Sequence, residues 1–231
     1  MVPTHSGIDS ADPAAGSRDE APPMSPMETG AVRTVRKEDA MTQTHDVAVL
    51  VGSLRADGFS SRLARALMEL APDRLKLRRV GIGELPLYNQ DLDETPPRAW
   101  QDFRDAVRPA HAVLFVTPEY NRSVPAPMKN AIDVGSRPYG KSVFDRKPAA
   151  VASQSPGAMG GFGANHAIRQ SLVFLNMPVL QQPEVYFARA GDQFDDKGEL
   201  TNEDTKKFLA TFMQAFADLI DLHAGVRAVA T

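Results

Sequence analysis

The sequence predicts an α/β chain, a three-layer sandwich around a five-stranded parallel sheet in the order 2-1-3-4-5. Three observations carry that reading. From His45 onward, short β-type runs alternate with segments of helical period, the signature of repeated βαβ units. The run Val47–Val51 is continuously apolar and β-branched, as in strands covered on both faces. Finally, three apolar runs are each followed by a loop rich in Ser, Gly, Pro or amide side chains. Such loops belong at the carboxyl ends of parallel strands, where an open sheet binds its ligands.

Each element follows in order. After Val47–Val51, a first helix places Leu63, Ala64, Leu67, Leu70 and Ala71 on one face, and Pro72 ends it. Leu75–Val80 reads as a weaker second strand, and Gly81–Thr95 as a long loop with Pro86, Tyr88, Asn89 and Asp91. Pro96–Arg108 is the second helix, with Phe103, Ala106 and Val107 inward and Pro109 as its stop. Ala112–Val116 is the third strand. Pro127–Val134 begins the third helix, with a proline in the first turn, where its missing N–H costs nothing. Ala149–Ala152 is the fourth strand and Gly161–Asn176 the fourth helix, closed by Pro178. The fifth strand, Val179–Leu180 and Glu184–Phe187, is interrupted at Pro183. Thr201–His223 is the last helix, with Phe208, Leu209, Phe212, Phe216, Leu219 and Ile220 at helical spacing and Thr201 or Asn202 as its cap. This order of elements is flavodoxin-like.

Residues 1–44 stand apart. They are dense in Pro, Gly, Ala, Ser and Thr and contain no aromatic residue and no apolar run, so they are expected to be a disordered tail. They lack the apolar segment of a signal peptide and the one-sided arginines of a transit peptide. An overextended gene start, with Met41 as the true initiator, is a second reading. Residues 45–231 form the expected single domain.

Composition excludes several classes. With 231 residues and no cysteine, the chain has no disulfide, thiolate nucleophile or iron–sulfur ligand. No stretch approaches the ~18 apolar residues of a membrane span, so a soluble, cytoplasmic protein with no membrane partner is expected. A formal charge of −3 offers no basic footprint for nucleic acid and little of the acidity of a dedicated electron carrier. The five histidines are scattered without metal-ligand spacing, so no metal is expected. Gly-x-Ser-x-Gly is absent, which argues against a serine hydrolase. The Gly-x-Gly-x-x-Gly and Gly-x-x-x-x-Gly-Lys-Ser/Thr patterns are absent as well, which argues against Rossmann and P-loop nucleotide sites.

What remains is the chemistry of the three loops. The first, Gly52 to Ser61, offers hydroxyls from Ser53, Ser60 and Ser61, the forked guanidinium of Arg55 and the N–H groups of a helix start, a set suited to a phosphate monoester. Taken alone, Gly-Ser-Leu-Arg is equally an ordinary strand-to-helix turn with a solvated arginine. The strand before it and the amphipathic helix after it favour the phosphate. The second loop, Thr117–Asn130, carries Pro118, Pro125 and Pro127, which hold its backbone. N–H groups from Glu119 to Asn121 and the Asn121 amide, with Pro118 and Tyr120 nearby, suit the carbonyl edge of an isoalloxazine ring. Glu119 has no partner carboxylate, so a solvent-facing or helix-pairing role is favoured over acid–base catalysis. The third loop, Ser153–Gly163, contributes Ser153, Gln154, Ser155 and Gly157, with small residues against which a planar ring can lie. The combination points to FMN, with no convincing catalytic side chain.

At this level the residues resemble a known family. Gly-Ser-Leu-Arg with Ser60 and an Ala-Arg-Ala-Leu helix, then Thr117 to Asp133 (Thr-Pro-Glu-Tyr-Asn-Arg-Ser-Val-Pro-Ala-Pro-Met-Lys-Asn-Ala-Ile-Asp), then Gly-Gly ahead of Arg169-Gln170, resemble the NAD(P)H-dependent FMN reductases, nearest the quinone and chromate reductase branch. The resemblance spans about His45 to Ala224. It implies a flavodoxin-like fold, non-covalent FMN, NAD(P)H as co-substrate and a homodimer or homotetramer whose interface borders the flavin. It places the FMN phosphate and ribityl chain on Ser53, Arg55, Ser60 and Ser61. The ring falls at Pro118, Glu119, Tyr120 and Asn121, beside Ser153 to Gly157. The acceptor is expected to be a quinone or another small molecule, such as chromate, an azo or nitro compound, or free flavin. A flavodoxin-type carrier is the alternative. Three departures stand out: Gly58-Phe59-Ser60 where the family often has Ser-x-Asn, Val134 where it often has Trp, and Gly163 where it often has Arg.

Overall fold

A computed structural model describes residues 43–229, with side chains through residue 224. All but the last two residues of the expected disordered tail lie outside the described residues. Five strands, β1 (His45–Val51), β2 (Leu75–Val80), β3 (Ala112–Pro118), β4 (Ala149–Gln154) and β5 (Val185–Phe187), form one sheet in the order β2-β1-β3-β4-β5. Every pairing is parallel. The predicted order is therefore observed.

The strands alternate between two cores. Val47, Val49 and Val51 of β1, Leu114 and Val116 of β3 and Ala152 of β4 face one side. There they meet Leu63 and Leu67 of α1 (Phe59–Glu69) and Leu209, Phe212, Phe216 and Ile220 of α5 (Glu203–Val229). Ala48, Leu50, Val113, Phe115 and Val151 face the other side. They pack on Trp100 and Phe103 of α2 (Arg98–Val107), Met128 and Ile132 of α3 (Ala126–Gly135), and Ile168 and Leu172 of α4 (Phe162–Phe174). Since successive strand residues point to opposite faces, a strand covered on both sides reads as a continuous apolar run. That is why no period-2 pattern marks β1, β3 or β4 in the sequence.

Differences from the expected boundaries are small and have causes. β3 and β4 each run two residues past the last small apolar residue, so Thr117, Pro118, Ser153 and Gln154 lie inside the sheet and are buried. Parallel pairing of Thr117 with Ser153 and of Pro118 with Gln154 carries the ladder into the two loops. Val179 makes only an isolated bridge to Ala149, and the strand resumes at Val185, so the expected interruption around Pro183 is present. Asn202, not Thr201, caps α5: its Oδ1 accepts the Thr205 N–H at 3.0 Å, while the Thr201 hydroxyl donates to Gln193 O.

Candidate functional site

The carboxyl ends of β1, β3 and β4 bring the three loops together, because the sheet order reverses between β1 and β3. Gly52 leaves β1 with its N–H bonded to Val116 O at 2.8 Å. A Cβ there would lie 3.0 Å from Thr117 Oγ1 and 3.3 Å from Met128 and Pro118, so only glycine lets the first and second loops approach this closely. The Thr117 hydroxyl, fully buried, donates to Pro118 O at 2.7 Å and stiffens the exit of β3.

The first loop is organised around Arg55. Its carbonyl accepts the Gly58 N–H at 3.3 Å and the Ser61 hydroxyl at 3.2 Å, and Ser53 Oγ faces the Arg55 N–H at 3.4 Å. The Arg55 side chain projects from an exposed turn. Ser60 and Ser61 sit in the first turn of α1 and are fully buried. Ser60 Oγ accepts from Gln154 Nε2 at 2.8 Å, which ties the first loop to the third. Arg79 of β2 reaches Ser61 Oγ at 3.4 Å. Asp57, on the same loop, is held by Arg62 at 2.6 Å and Arg65 at 3.1 Å, and these bonds pull its carboxyl down to about 2.

The second loop is a tight hairpin. Tyr120 and Ser123 exchange backbone hydrogen bonds of 3.1 and 2.9 Å, and Asn121 and Arg122 between them both take positive φ (51° and 64°). That is the pattern of a type I′ turn, which suits Asn and strains Arg. The turn uses the Tyr120 N–H internally, so of the N–H groups expected to face a ring this one is already committed. Glu119 points the other way. Its Oε2 accepts the Ala164 N–H at 3.1 Å in the first turn of α4, where the helix dipole favours a carboxylate, and Arg122 lies 3.7 Å from Oε1. Of the two roles expected for it, solvent-facing or helix-pairing, the contact is the helix-pairing one. It also accounts for Gly163: a Cβ there would fall 2.5 Å from Arg122 O and 3.0 Å from Glu119 Oε2. Val134, where the family often has Trp, is fully buried in the second core.

In the third loop, the Ser153 hydroxyl lies 2.8 Å from Gly160 O and 3.2 Å from Val185 O, and Asn165 Nδ2 donates to Ser153 Oγ at 3.2 Å. Arg169 anchors Asn165 Oδ1 at 2.8 Å. Ser155 donates its N–H to Phe187 O and accepts that of Ala190, and its hydroxyl takes the Gly157 N–H at 3.0 Å. The loop is thus strapped to β5. Beside it stand Phe162, His166 and Tyr186, with the Tyr186 hydroxyl 2.9 Å from His166 Nε2 and the Phe162 and His166 rings 4.2 Å apart. Burial, followed by a hydrogen bond to Glu184, raises the Tyr186 phenol to about 12.

The sequence reading passed over several of these residues. Asn130 holds the Gly81–Thr95 loop over the second core by donating to Leu85 O and Pro86 O and accepting the Tyr88 N–H at 2.9 Å, while Trp100 Nε1 donates to Pro86 O. Leu87 is left 77% exposed at the tip of that loop. Asn165 and Tyr186 lie well beyond the strand they brace, and no local pattern marks them; Arg169 belongs to the Arg169-Gln170 pair of the family resemblance.

The donor set fits a flavin mononucleotide. Hydroxyls and a guanidinium surround a helix start, while glycine at Gly52 and Gly161 keeps the crevice wall thin; a Cβ on Gly161 would meet Gln154 O and Ser153 at 3.0 Å. Gln154 Oε1 is buried and meets no donor, an acceptor left for a ligand N–H.

Comparison with known proteins agrees. The profile of NADPH-dependent FMN reductases matches residues 45–192. The chain is 58% identical over 187 residues to a quinone reductase of Pseudomonas putida KT2440, covering 80% of this chain and the whole of that one. It is 43% identical over 171 residues to a 2-hydroxy-1,4-benzoquinone reductase of a Burkholderia species (74% of this chain, 93% of that one). The solved structure of FerB, a flavoenzyme NAD(P)H:(acceptor) oxidoreductase from Paracoccus denitrificans, superimposes with a TM-score of 0.74 at 40% identity, covering 78% of this chain and 99% of that one. With the fold, the crevice and these relatives in agreement, the chain belongs to the NADPH-dependent FMN reductase family and is an FMN-dependent NAD(P)H oxidoreductase.

Proposed function

We propose that the protein passes reducing equivalents from NAD(P)H to a quinone, with FMN held in the crevice between the β1, β3 and β4 loops. The observation that carries this reading is the mutual bracing of those loops: Gln154 on Ser60, Gly52 on Val116 and Glu119 on Ala164. FMN supplies the hydride acceptor and donor, and the chain supplies binding and electrostatics. Ser53, Arg55, Ser60 and Ser61 would hold the phosphate and ribityl chain, the last two through the turn they rigidify. Pro118, Glu119, Tyr120 and Asn121 would frame the ring edge, with Ser153, Gln154, Ser155 and Gly157 on the opposite side. Among the described residues no carboxylate pair lines the crevice, and hydride transfer is assigned to FMN, with no protein acid or base.

The quinone is the acceptor named for the P. putida and Burkholderia relatives. Chain geometry supports a small flat substrate, since the crevice wall is built from glycine and proline. A homodimer or homotetramer is supported by exposed Val173 and Phe174 on α4, 72% and 75% accessible. We place the protein in the cytoplasm, with its nicotinamide donor; among the described residues no helix is long and apolar enough to cross a membrane.

The test is anaerobic. Protein loaded with FMN is mixed with NADH or NADPH and then with a benzoquinone, and flavin absorbance is followed. Loss of absorbance with a nicotinamide and its return with the quinone are expected. Protein that takes up no FMN, or whose flavin neither nicotinamide reduces, overturns the reading.

A further inference from the structure

Away from the flavin crevice, a second cavity opens between α2 and the segment that follows α3. It is an open groove of about 480 Å³, bounded by Pro96, Gln101, Arg104, Asp105, Arg108, Arg137, Pro138, Lys141 and Ser142. That size falls in the range of small-ligand sites. Four cationic side chains face it against a single carboxylate, Asp105, which lies 3.8 Å from Arg108. Among the described residues, no carboxylate forms an ion pair with Arg104, Arg137 or Lys141.

Part of this charge has a structural role. Arg104 Nε donates to Val134 O at 3.0 Å and Arg137 Nη1 to Ser136 O at 3.5 Å, and both carbonyls belong to the end of α3, where cations are favourable. Neither contact accounts for the rest of Arg104. The residue is 94% buried, its guanidinium carbon lies 5.6 Å from the Trp100 ring, and Nη2 meets no acceptor. A buried guanidinium N–H without an acceptor forfeits a charge-assisted bond and costs its desolvation. Burial accordingly lowers the Arg104 pKa, opposed by Asp93 and Tyr88. Half-buried Arg137 and exposed Lys141 also line the cavity.

We propose that this cavity is an anion site that takes a phosphate group, with Arg104 as the buried donor and Arg137 and Lys141 as rim contacts. A tetrahedral dianion offers several acceptor oxygens, enough for a forked guanidinium and two further cations at once. The phosphate could arrive free or as a monoester on a small molecule, for which the two prolines leave room.

Calorimetric titration of FMN-saturated protein separates these possibilities, because saturation fills the phosphate pocket of the flavin crevice. Inorganic phosphate and AMP are titrated separately into the native protein and the R137Q/K141Q double variant, at ionic strength matched with chloride. Both substitutions lie at the cavity rim and outside the flavin crevice, so the fold, the bound FMN and NAD(P)H-dependent quinone reduction are expected to persist. Saturable binding to the native protein, weakened about tenfold or more in the double variant, is the expected result. Equal affinity for the two ligands assigns the site to free phosphate, and tighter AMP binding assigns it to a monoester. Affinity unchanged in the double variant, or no saturable binding of either ligand, overturns the proposal.

Discussion

At the residue scale, the first loop separates side chains that organise the chain from those left to meet a ligand. Ser60 and Ser61 spend their hydroxyls on Gln154 and Arg55 O, while the Arg55 guanidinium projects from the turn. Replacing Arg55 with Ala should therefore leave the fold intact and remove one charge-assisted contact, worth roughly 1.5–3 kcal/mol. FMN affinity should fall about ten- to a hundredfold, and fluorescence titration with an unchanged dissociation constant would show that the arginine is only solvated. Asp57 supplies a pH signature. Arg62 and Arg65 hold its carboxyl near 2, below the ordinary 3.8, so the stabilisation it gives is present above about pH 4 and is lost as pH falls toward 2. In Asp57→Asn, the acid limb of a melting-temperature profile should be shallower across that window. Identical limbs would count against it.

Elements, rather than single residues, shape the second loop. The Tyr120–Ser123 hairpin, Glu119 and the start of α4 form one unit in which a carboxylate meets a helix N-terminus and a backbone carbonyl packs on Gly163. Gly163→Ala forces Arg122 O or the helix to move and should cost about 1–3 kcal/mol in chemical denaturation, as overpacking does. FMN affinity should weaken with it if the hairpin frames the ring as proposed. Glu119→Gln keeps an acceptor for the Ala164 N–H and removes only the charge, worth about 0.3–1 kcal/mol at a helix start. Turnover should change by less than about threefold. A loss of a hundredfold with FMN retained would make Glu119 a participant in the chemistry.

For the whole molecule, the proposed crevice offers a single cofactor position among the loops of β1, β3 and β4, so nicotinamide and acceptor would share it. The two substrates are then expected to bind in turn, and steady-state kinetics should give parallel double-reciprocal lines. Intersecting lines would mean that both are bound together and that the site is larger than the three loops.

Much of this was legible in the sequence, for reasons that differ by element. Continuous apolar runs separated by amphipathic helices dictate a parallel sheet covered on both faces, and its strand order is the one that the family resemblance implies. The Thr117–Asp133 segment likewise carries its own signature, and Asn at position 121 suits the turn in which it sits. Local chemistry with local causes can be read locally. Only the tertiary structure decided that Ser153 and Gln154 lie inside β4, that the Tyr120 N–H is spent on Ser123, that Asn130 and Trp100 hold the Gly81–Thr95 loop, and that Arg104 carries a buried N–H without an acceptor. Apart from the local Tyr120–Ser123 turn, these outcomes depend on partners 14 or more residues away, and a hydrogen bond between distant residues is chosen by packing after the sheet has formed, not by the sequence on either side of it.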